Sequence, residues 1–375
     1  MSIPLSSPDI TNLERKAVLE VLRTPILSSG PKTRGFEKEI ALFAQRRYAV
    51  AVSSGTAALH LLMEALGIRE RDEVIATPFS FIASANCILY ERAKPVFVDI
   101  DEHTLTMDPS KIEKAITKRT KAILPVDVFG HPAHWEAIVE IARNHKLTII
   151  EDSAEALGSE YKKKRCGSFG DAAIFSFYPN KQITTGGEGG AILTNHKSIA
   201  LQCQSMRNRG RRAVNMQWFE HVRLGFNYRL TEMQCAVGLA QLRRLPEILE
   251  KRERVAQCYN ERLRDVSQIE LPFVAPSVKM SWFVYVIRLS QKYTRKQRDS
   301  LVDALKRKGI HCGIYFQPIH LQPFYRKLFG YRRGDFPAAE RAGDRTVALP
   351  FYNNLREEEI DLVADTLKKA IHRFL

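Results

Sequence analysis

KAILPVDVFGHPAHWEAIVEIARNHKLTIIED, residues 121–152, contains one complete folding unit. KAILPVDVF is a short apolar run rich in branched side chains. HWEAIVEIARNHK repeats its apolar residues at helical spacing, and LTIIED is a second apolar run that ends on two acids. Strands separated by a helix of this kind indicate an α/β layer with a largely parallel sheet. The same alternation extends outward on both sides. Before it come YAVAVS (48–53) as a strand, TAALHLLMEALG (56–67) as a helix closed by glycine, EVIATP (73–78), helical SFIASANCILYE (80–91) and strand KPVFVDI (94–100). After it, AAIFSF (172–177) and GGAILT (189–194) read as two more buried strands. LRRLPEILEKRERVAQCYNERLRD (242–265) predicts a long charged helix connecting two domains. SWFVYVIRL (281–289), a helix near 295–309, strand-like HCGIYF (311–316) and a terminal helix predict a smaller α/β unit. The expected division is an N-terminal segment over 1–24, a large domain over 25–245 and a small C-terminal domain over 246–375.

Hydrophobic residues at 45% and charged residues at 26% suit a soluble globular enzyme. No apolar run approaches a membrane span, and MSIPLSSPDI has neither a basic leader nor an apolar signal core, so a cytoplasmic location is expected. Cys87, Cys166, Cys203, Cys235, Cys258 and Cys312 are scattered without a C-x-x-C pair, a pattern of free thiols. His131 and His134 in GHPAH lack cysteine or carboxylate company and read as a loop, and no metal is expected. The net charge of +15 is densest in RNRGRR (207–212) and YKKKR (161–165). Neither run sits on a helix-turn-helix pattern or an aromatic-studded RNA-binding strand, so acidic small ligands are favoured over nucleic acid.

Three local patterns carry chemistry. In VAVSSGTAALHLL (50–62) a strand runs through Ser-Gly-Thr into a helix, whose free N–H groups and Thr56 hydroxyl make an anion site that Gly55 lets a ligand approach. A plain helix cap is the bland alternative. No G-K-[ST] follows, and no G-x-G-x-x-G follows a strand, which argues against Walker and dinucleotide sites. In LTIIED, Glu151 and Asp152 lie at the carboxyl end of a strand, where a parallel sheet presents its ligand crevice. Finally, FSFYPNKQITTGGEGGAIL (175–193) holds Lys181 in a polar, glycine-rich loop between two core strands, where desolvation frees an amine to act as a nucleophile. A phosphate cradle, a strand-end acid and a loop lysine together are what pyridoxal 5′-phosphate requires.

The chain resembles the DegT/DnrJ/StrS family of pyridoxal-phosphate aminotransferases acting on nucleotide-linked keto sugars. The resemblance runs through SSGTAALHLL, DEVIATPFSFIASANCI, PVFVDID, IIEDSAEALGSEY, GSFGDAAIFSFYPNKQITTGGEGG, GFNYRLTEMQCAVGLAQL and IHLQPFY to ALPFY near residue 350. It implies the type I fold of the aspartate aminotransferase superfamily, with a large mixed-sheet domain and a small C-terminal α/β domain. It also implies a homodimer whose active sites are shared. Lys181 matches the lysine that holds the cofactor covalently, and Asp152 the partner of its ring nitrogen. Phe81 matches the aromatic residue that stacks on the ring; Gly55, Thr56, Ala57 and Ser176 match the phosphate cradle. Asn227 matches a residue reaching the phosphate from the partner subunit, and Arg229 is expected to act in trans with it. RNRGRR is expected to help hold the diphosphate. Glu155, placed one helical turn past Asp152, stands where many relatives have His or Gln and leans toward amination at carbon 4 of a 4-keto-6-deoxy sugar. His320 matches a histidine near the sugar pocket. Because the chain keeps Lys181, transamination is expected, and not the dehydration performed by relatives with histidine there. The expected donor is L-glutamate. A ketocyclitol or 3-keto sugar acceptor is the alternative, and a regulatory DNA-binding protein on this scaffold the more distant one.

Overall fold

In the computed structural model, which describes residues 2–212 and 220–374, the unit at 121–152 sits at the centre of a seven-stranded sheet. Its strands are β1 (Tyr48–Val52), β2 (Glu73–Ala76), β3 (Lys94–Phe97), β4 (Thr120–Leu124), β5 (Thr148–Asp152), β6 (Ala172–Ser176) and β7 (Gly190–Thr194). Their order across the sheet is β1-β7-β6-β5-β4-β2-β3. Neighbours from β3 to β6 pair in parallel, while β7 runs antiparallel to both β6 and β1. The one reversal has a local cause. No helix forms between β6 and β7, so the chain turns back directly beside β6, and that turn carries Lys181.

Helix Trp135–His145 shows how the crossovers hold to the sheet. Trp135, Ile138 and Ala142, spaced three and four apart, are its buried residues. They share a core cluster with Ile123 of β4 and Ile149 of β5. A fully buried Ile contributes on the order of 1.5–3 kcal/mol relative to exposure, so this stripe pins the crossover firmly. The sheet's carboxyl ends are thereby fixed on one side of the molecule, with Asp152 ending β5 and Ser176 ending β6.

The expected long helix runs over Leu245–Leu263 and starts with Pro246 in its first turn, because proline cannot donate within a helix interior; Leu242 and Arg243 end the preceding helix, Glu232–Arg243. One expectation needs correction. HCGIYF is not a strand. Gly313 alone exchanges two backbone hydrogen bonds with Ala348 (3.0 and 2.8 Å), after which the chain leaves the sheet and carries Tyr315 and Phe316 to the cavity described below. The second sheet contains Ile269–Glu270, Tyr285–Leu289 and Thr346–Leu349, all antiparallel, with helices Arg295–Arg307 and Glu357–Phe374 nearby in the chain. All six cysteines are buried and free. Among the described residues no helix is long and apolar enough to cross a membrane.

Candidate active site

At the carboxyl ends of β2, β4, β5 and β6 lies a cavity of about 760 Å³. Gly55, Thr56, Phe81, Asp152, Glu155, Ser176 and Lys181 all line it, so the structure brings together most of the residues singled out from sequence. Each arrives for a local reason. Helix Gly55–Ala65 is capped by Ser54, whose Oγ accepts the Ala57 N–H at 3.0 Å. The cap therefore takes the Ala57 N–H, while the helix start keeps further N–H groups without intrahelical partners. A Cβ on Gly55 would stand 3.0 Å from the Ser176 Cβ, so glycine is what lets the helix start close against the end of β6. Ala57 itself lines a smaller neighbouring pocket with Ser53, Ser54, Thr56, His60, Tyr90 and Tyr228.

Asp152 is 3% exposed. Its Oδ2 accepts the Ser84 hydroxyl at 2.7 Å and its Oδ1 the Ala154 N–H at 3.1 Å, so its bonded partners are a hydroxyl and an amide, not a cation. Burial, the largest influence, pushes its carboxyl up from the usual range, and the Lys181 charge opposes this only in part. A cation at the cavity end of this carboxylate would restore its ionised form.

Lys181 Nζ stands 3.4 Å from Glu155 Oε1 and 3.8 Å from the centroid of the Phe283 ring. Glu155 is held in turn by the Phe129 N–H, donated to Oε2 at 2.8 Å. Residues 153–158 form turns, so Glu155 does not follow Asp152 by a helical turn as expected; a tight turn brings both carboxylates to one cavity. Gln182 closes the back of the loop by donating to the Glu155 carbonyl and to Ser281 Oγ.

Three expected residues are not brought to this cavity. His320 is fully buried, with Nε2 3.0 Å from Glu340 Oε1 and its ring packed 4.8 Å from that of Phe336. Asn227 is exposed and bridges Asn208. Arg229 donates to Asn208 Oδ1 at 2.8 Å. Within RNRGRR, Arg207 pairs with Glu37, and Arg212 forms two 2.7 Å bonds with Glu220. The sequence reading in turn missed Ser84, Tyr178, Asn180, Phe283, Tyr315 and Phe316, which bond Asp152 or line the cavity. Phe283 sits in a run whose apolar pattern reads only as core.

With this geometry in place, the chain matches the DegT/DnrJ/EryC1/StrS aminotransferase family over residues 8–368. The chain belongs to that family. It is 40% identical over 371 residues to the GDP-perosamine synthase of Caulobacter vibrioides, covering 98% of each chain. Its structure superposes on Helicobacter pylori PseC, an aminotransferase of pseudoaminic acid biosynthesis, with a TM-score of 0.95 at 32% identity and full coverage of both chains. Spr1654 from Streptococcus pneumoniae, in its PLP form, gives a TM-score of 0.95 at 28% identity, again over both whole chains. The fold is thus the type I fold of this aminotransferase family, and the residues present fit its cofactor, pyridoxal 5′-phosphate. Lys181 would offer the amine, the start of helix Gly55–Ala65 with Ser176 would offer a phosphate cradle, and Asp152 is a buried acid lacking a bonded cation.

Proposed function

We propose that this sugar aminotransferase moves an amino group from L-glutamate to carbon 4 of a 4-keto-6-deoxy hexose carried on a nucleoside diphosphate. It would do so in the cytoplasm, as a homodimer with shared sites. The observation that carries the reading is the placement of Lys181 Nζ between Glu155 and Phe283 in the cavity that Asp152 closes from β5.

Bound pyridoxal phosphate supplies a ring that accepts the electrons left when a proton is removed beside nitrogen. The chain's own residues do the rest. Asp152, ionised against a protonated ring nitrogen, keeps that ring an electron acceptor. Lys181 Nζ, when not covalently engaged, takes the proton from the donor's α-carbon and returns it one position away, acting as base and then as acid. Glu155 stands 3.4 Å from that amine, and it lines the cavity that would receive the acceptor. Arg229 is pushed down from its usual range by burial first, and then by Arg209, Arg211 and Arg207. A cluster of mutually repelling arginines favours an anionic ligand, which supports a diphosphate or donor carboxylate held there in a dimer.

The test pairs 3-keto and 4-keto nucleotide sugars, on GDP and UDP carriers, with glutamate as donor and locates the new amine by NMR. Amination at carbon 4 is expected. Preferential amination at carbon 3, or turnover of a ketocyclitol alone, would overturn the acceptor assignment and leave the aminotransferase chemistry intact.

A further inference from the structure

Helix Leu245–Leu263 carries a buried cation that the reaction as described does not use. Arg252 is 3% exposed, and its three hydrogen-bond acceptors are all uncharged. Nε donates to the Trp282 carbonyl at 2.6 Å, Nη2 to the Phe283 carbonyl at 2.8 Å and Nη1 to Asn353 Oδ1 at 2.6 Å. Its guanidinium also lies 5.1 Å from the Phe351 ring centroid. Burial pushes it down from its usual range, with no charged partner opposing the shift. A guanidinium taken out of water without a counter-ion is costly to the fold unless its fork of donors is fully used.

What the fork grips is an unusual piece of backbone. Trp282 has φ +54°, a left-handed conformation that a bulky residue adopts only when its surroundings impose it. The amide side of the same segment is pressed against Gly130, where an added Cβ would come within 3.2 Å of both the Trp282 and Phe283 nitrogens. The Phe283 N–H donates to the Phe129 carbonyl at 3.3 Å. Held from both sides, Phe283 turns its ring face to Lys181 Nζ at 3.8 Å, while Glu155 Oε1 stands 3.4 Å from the same nitrogen. A ring face this close attracts an ammonium and excludes water from it.

We infer that Arg252 is a positioning residue for Lys181, acting through the Trp282–Phe283 backbone to hold the Phe283 ring against the reacting amine. The inference rests on Lys181 being that amine, as proposed above. Arg252 touches neither substrate nor cofactor in this arrangement; it determines where the ring stands. The ring face in turn is a contact that the protonated amine has and the free amine lacks.

The test labels the full-length protein, freed of cofactor, with short pulses of an amine-specific acylating reagent and reads the Lys181 peptide by mass spectrometry. The quantity is the labelling rate at about pH 8 divided by that at about pH 11, on either side of the ordinary lysine range, which cancels changes in access. Phe283→Leu and Arg252→Lys should each raise this ratio about threefold, since a lost cation–π contact weakens the ammonium. Phe283→Tyr, which keeps a ring, should restore it. An unchanged ratio in Phe283→Leu overturns the proposal. So does Arg252→Lys if it lowers Tm with the ratio unchanged, because Arg252 then serves the fold alone. If Arg252→Lys does not fold, Asn353→Ala, which removes one of the three acceptors that fix the guanidinium, carries the same expectation and the same refutation. Borohydride mapping of the cofactor attachment tests Lys181 separately, so failure of the parent reading is distinguishable from failure of this one.

Discussion

At the scale of single residues, Lys181 and Asp152 divide the chemistry of the proposed reaction, and each makes a separable prediction. Borohydride reduction and peptide mapping should place the pyridoxyl group on Lys181, and a label on any other lysine would sink the assignment. Lys181→Ala should keep the fold, since Glu155 is still held by the Phe129 N–H, and lose turnover by about two to four orders of magnitude or more. Asp152→Asn is isosteric, and its side-chain oxygen can still accept the Ser84 hydroxyl. It should therefore lower kcat at least about tenfold more than it weakens cofactor binding, because a neutral amide no longer holds the ring nitrogen protonated. Near-normal turnover in Asp152→Asn, measured beside the cofactor Kd, would contradict the electron-sink role.

At the scale of elements, the end of β5 carries two acids with opposite surroundings. Strand alternation sends Asp152 to the cavity and Glu151 away from it. Glu151 accepts N–H groups from Gly167 (2.5 Å) and Phe169 (2.7 Å). Ser153 Oγ stands 2.7 Å from Glu151 Oε1 and 2.5 Å from Asp127 Oδ2. One hydroxyl proton cannot serve both carboxylates, so the pair retains a proton. Burial, then the charge of Asp127, pushes Glu151 up to about 8, with Cys166 packed beside both acids and Arg46 opposing the rise. The sign follows from the raised value. Between the ordinary carboxylate range and about pH 8 the folded chain binds a proton that the unfolded chain has released, so stability falls as pH rises through this window. In Asp127→Asn the amide oxygen keeps the Ala133 and Trp135 donors, and the amide N–H₂ donates to Ser153, which then donates to Glu151. That variant should flatten the decline and gain about 1 kcal/mol at pH 8, read from denaturant unfolding at about pH 5.5 and about pH 8. A steeper decline in the variant would refute the shared proton.

At the scale of the whole molecule, one chain builds a cofactor cavity but leaves Asn227 and Arg229 outside it. Ile26, Leu27 and Leu224 are exposed large apolar side chains, with Leu224 at 78%. The proposed dimer, with active sites shared across a twofold axis, would account for both facts. Mixing inactive Lys181→Ala with inactive Asn227→Ala chains should then restore activity, up to about a quarter of the wild-type sites when exchange is complete, because half the dimers are hybrids with one intact site each. A fully active monomer in sedimentation and assay would refute the arrangement.

The order of strands and helices in the large sheet, the strand-end position of Asp152, the strand-to-helix turn at Gly55 and the looped lysine were all legible in the sequence, because each is written in neighbouring residues. Apolar spacing separates helix from strand, and serine, threonine and glycine mark where elements start and turn. The same locality sets the limit. A periodic pattern reports which face of an element is buried but not what lies against it. Ser84 comes to Asp152 only because β2 and β5 both flank β4. Phe283 reaches Lys181, and Arg252 grips Phe283, across separations of about 100 and about 30 residues that no window spans. HCGIYF has a strand's composition, yet Gly313 is its one paired position, and the exit of the chain toward the cavity decides the rest. His320 has the residue type expected at a sugar pocket. Its partner Glu340 lies in a different helix, and only the packing of the two shows that the imidazole is buried against that carboxylate instead of facing the cavity.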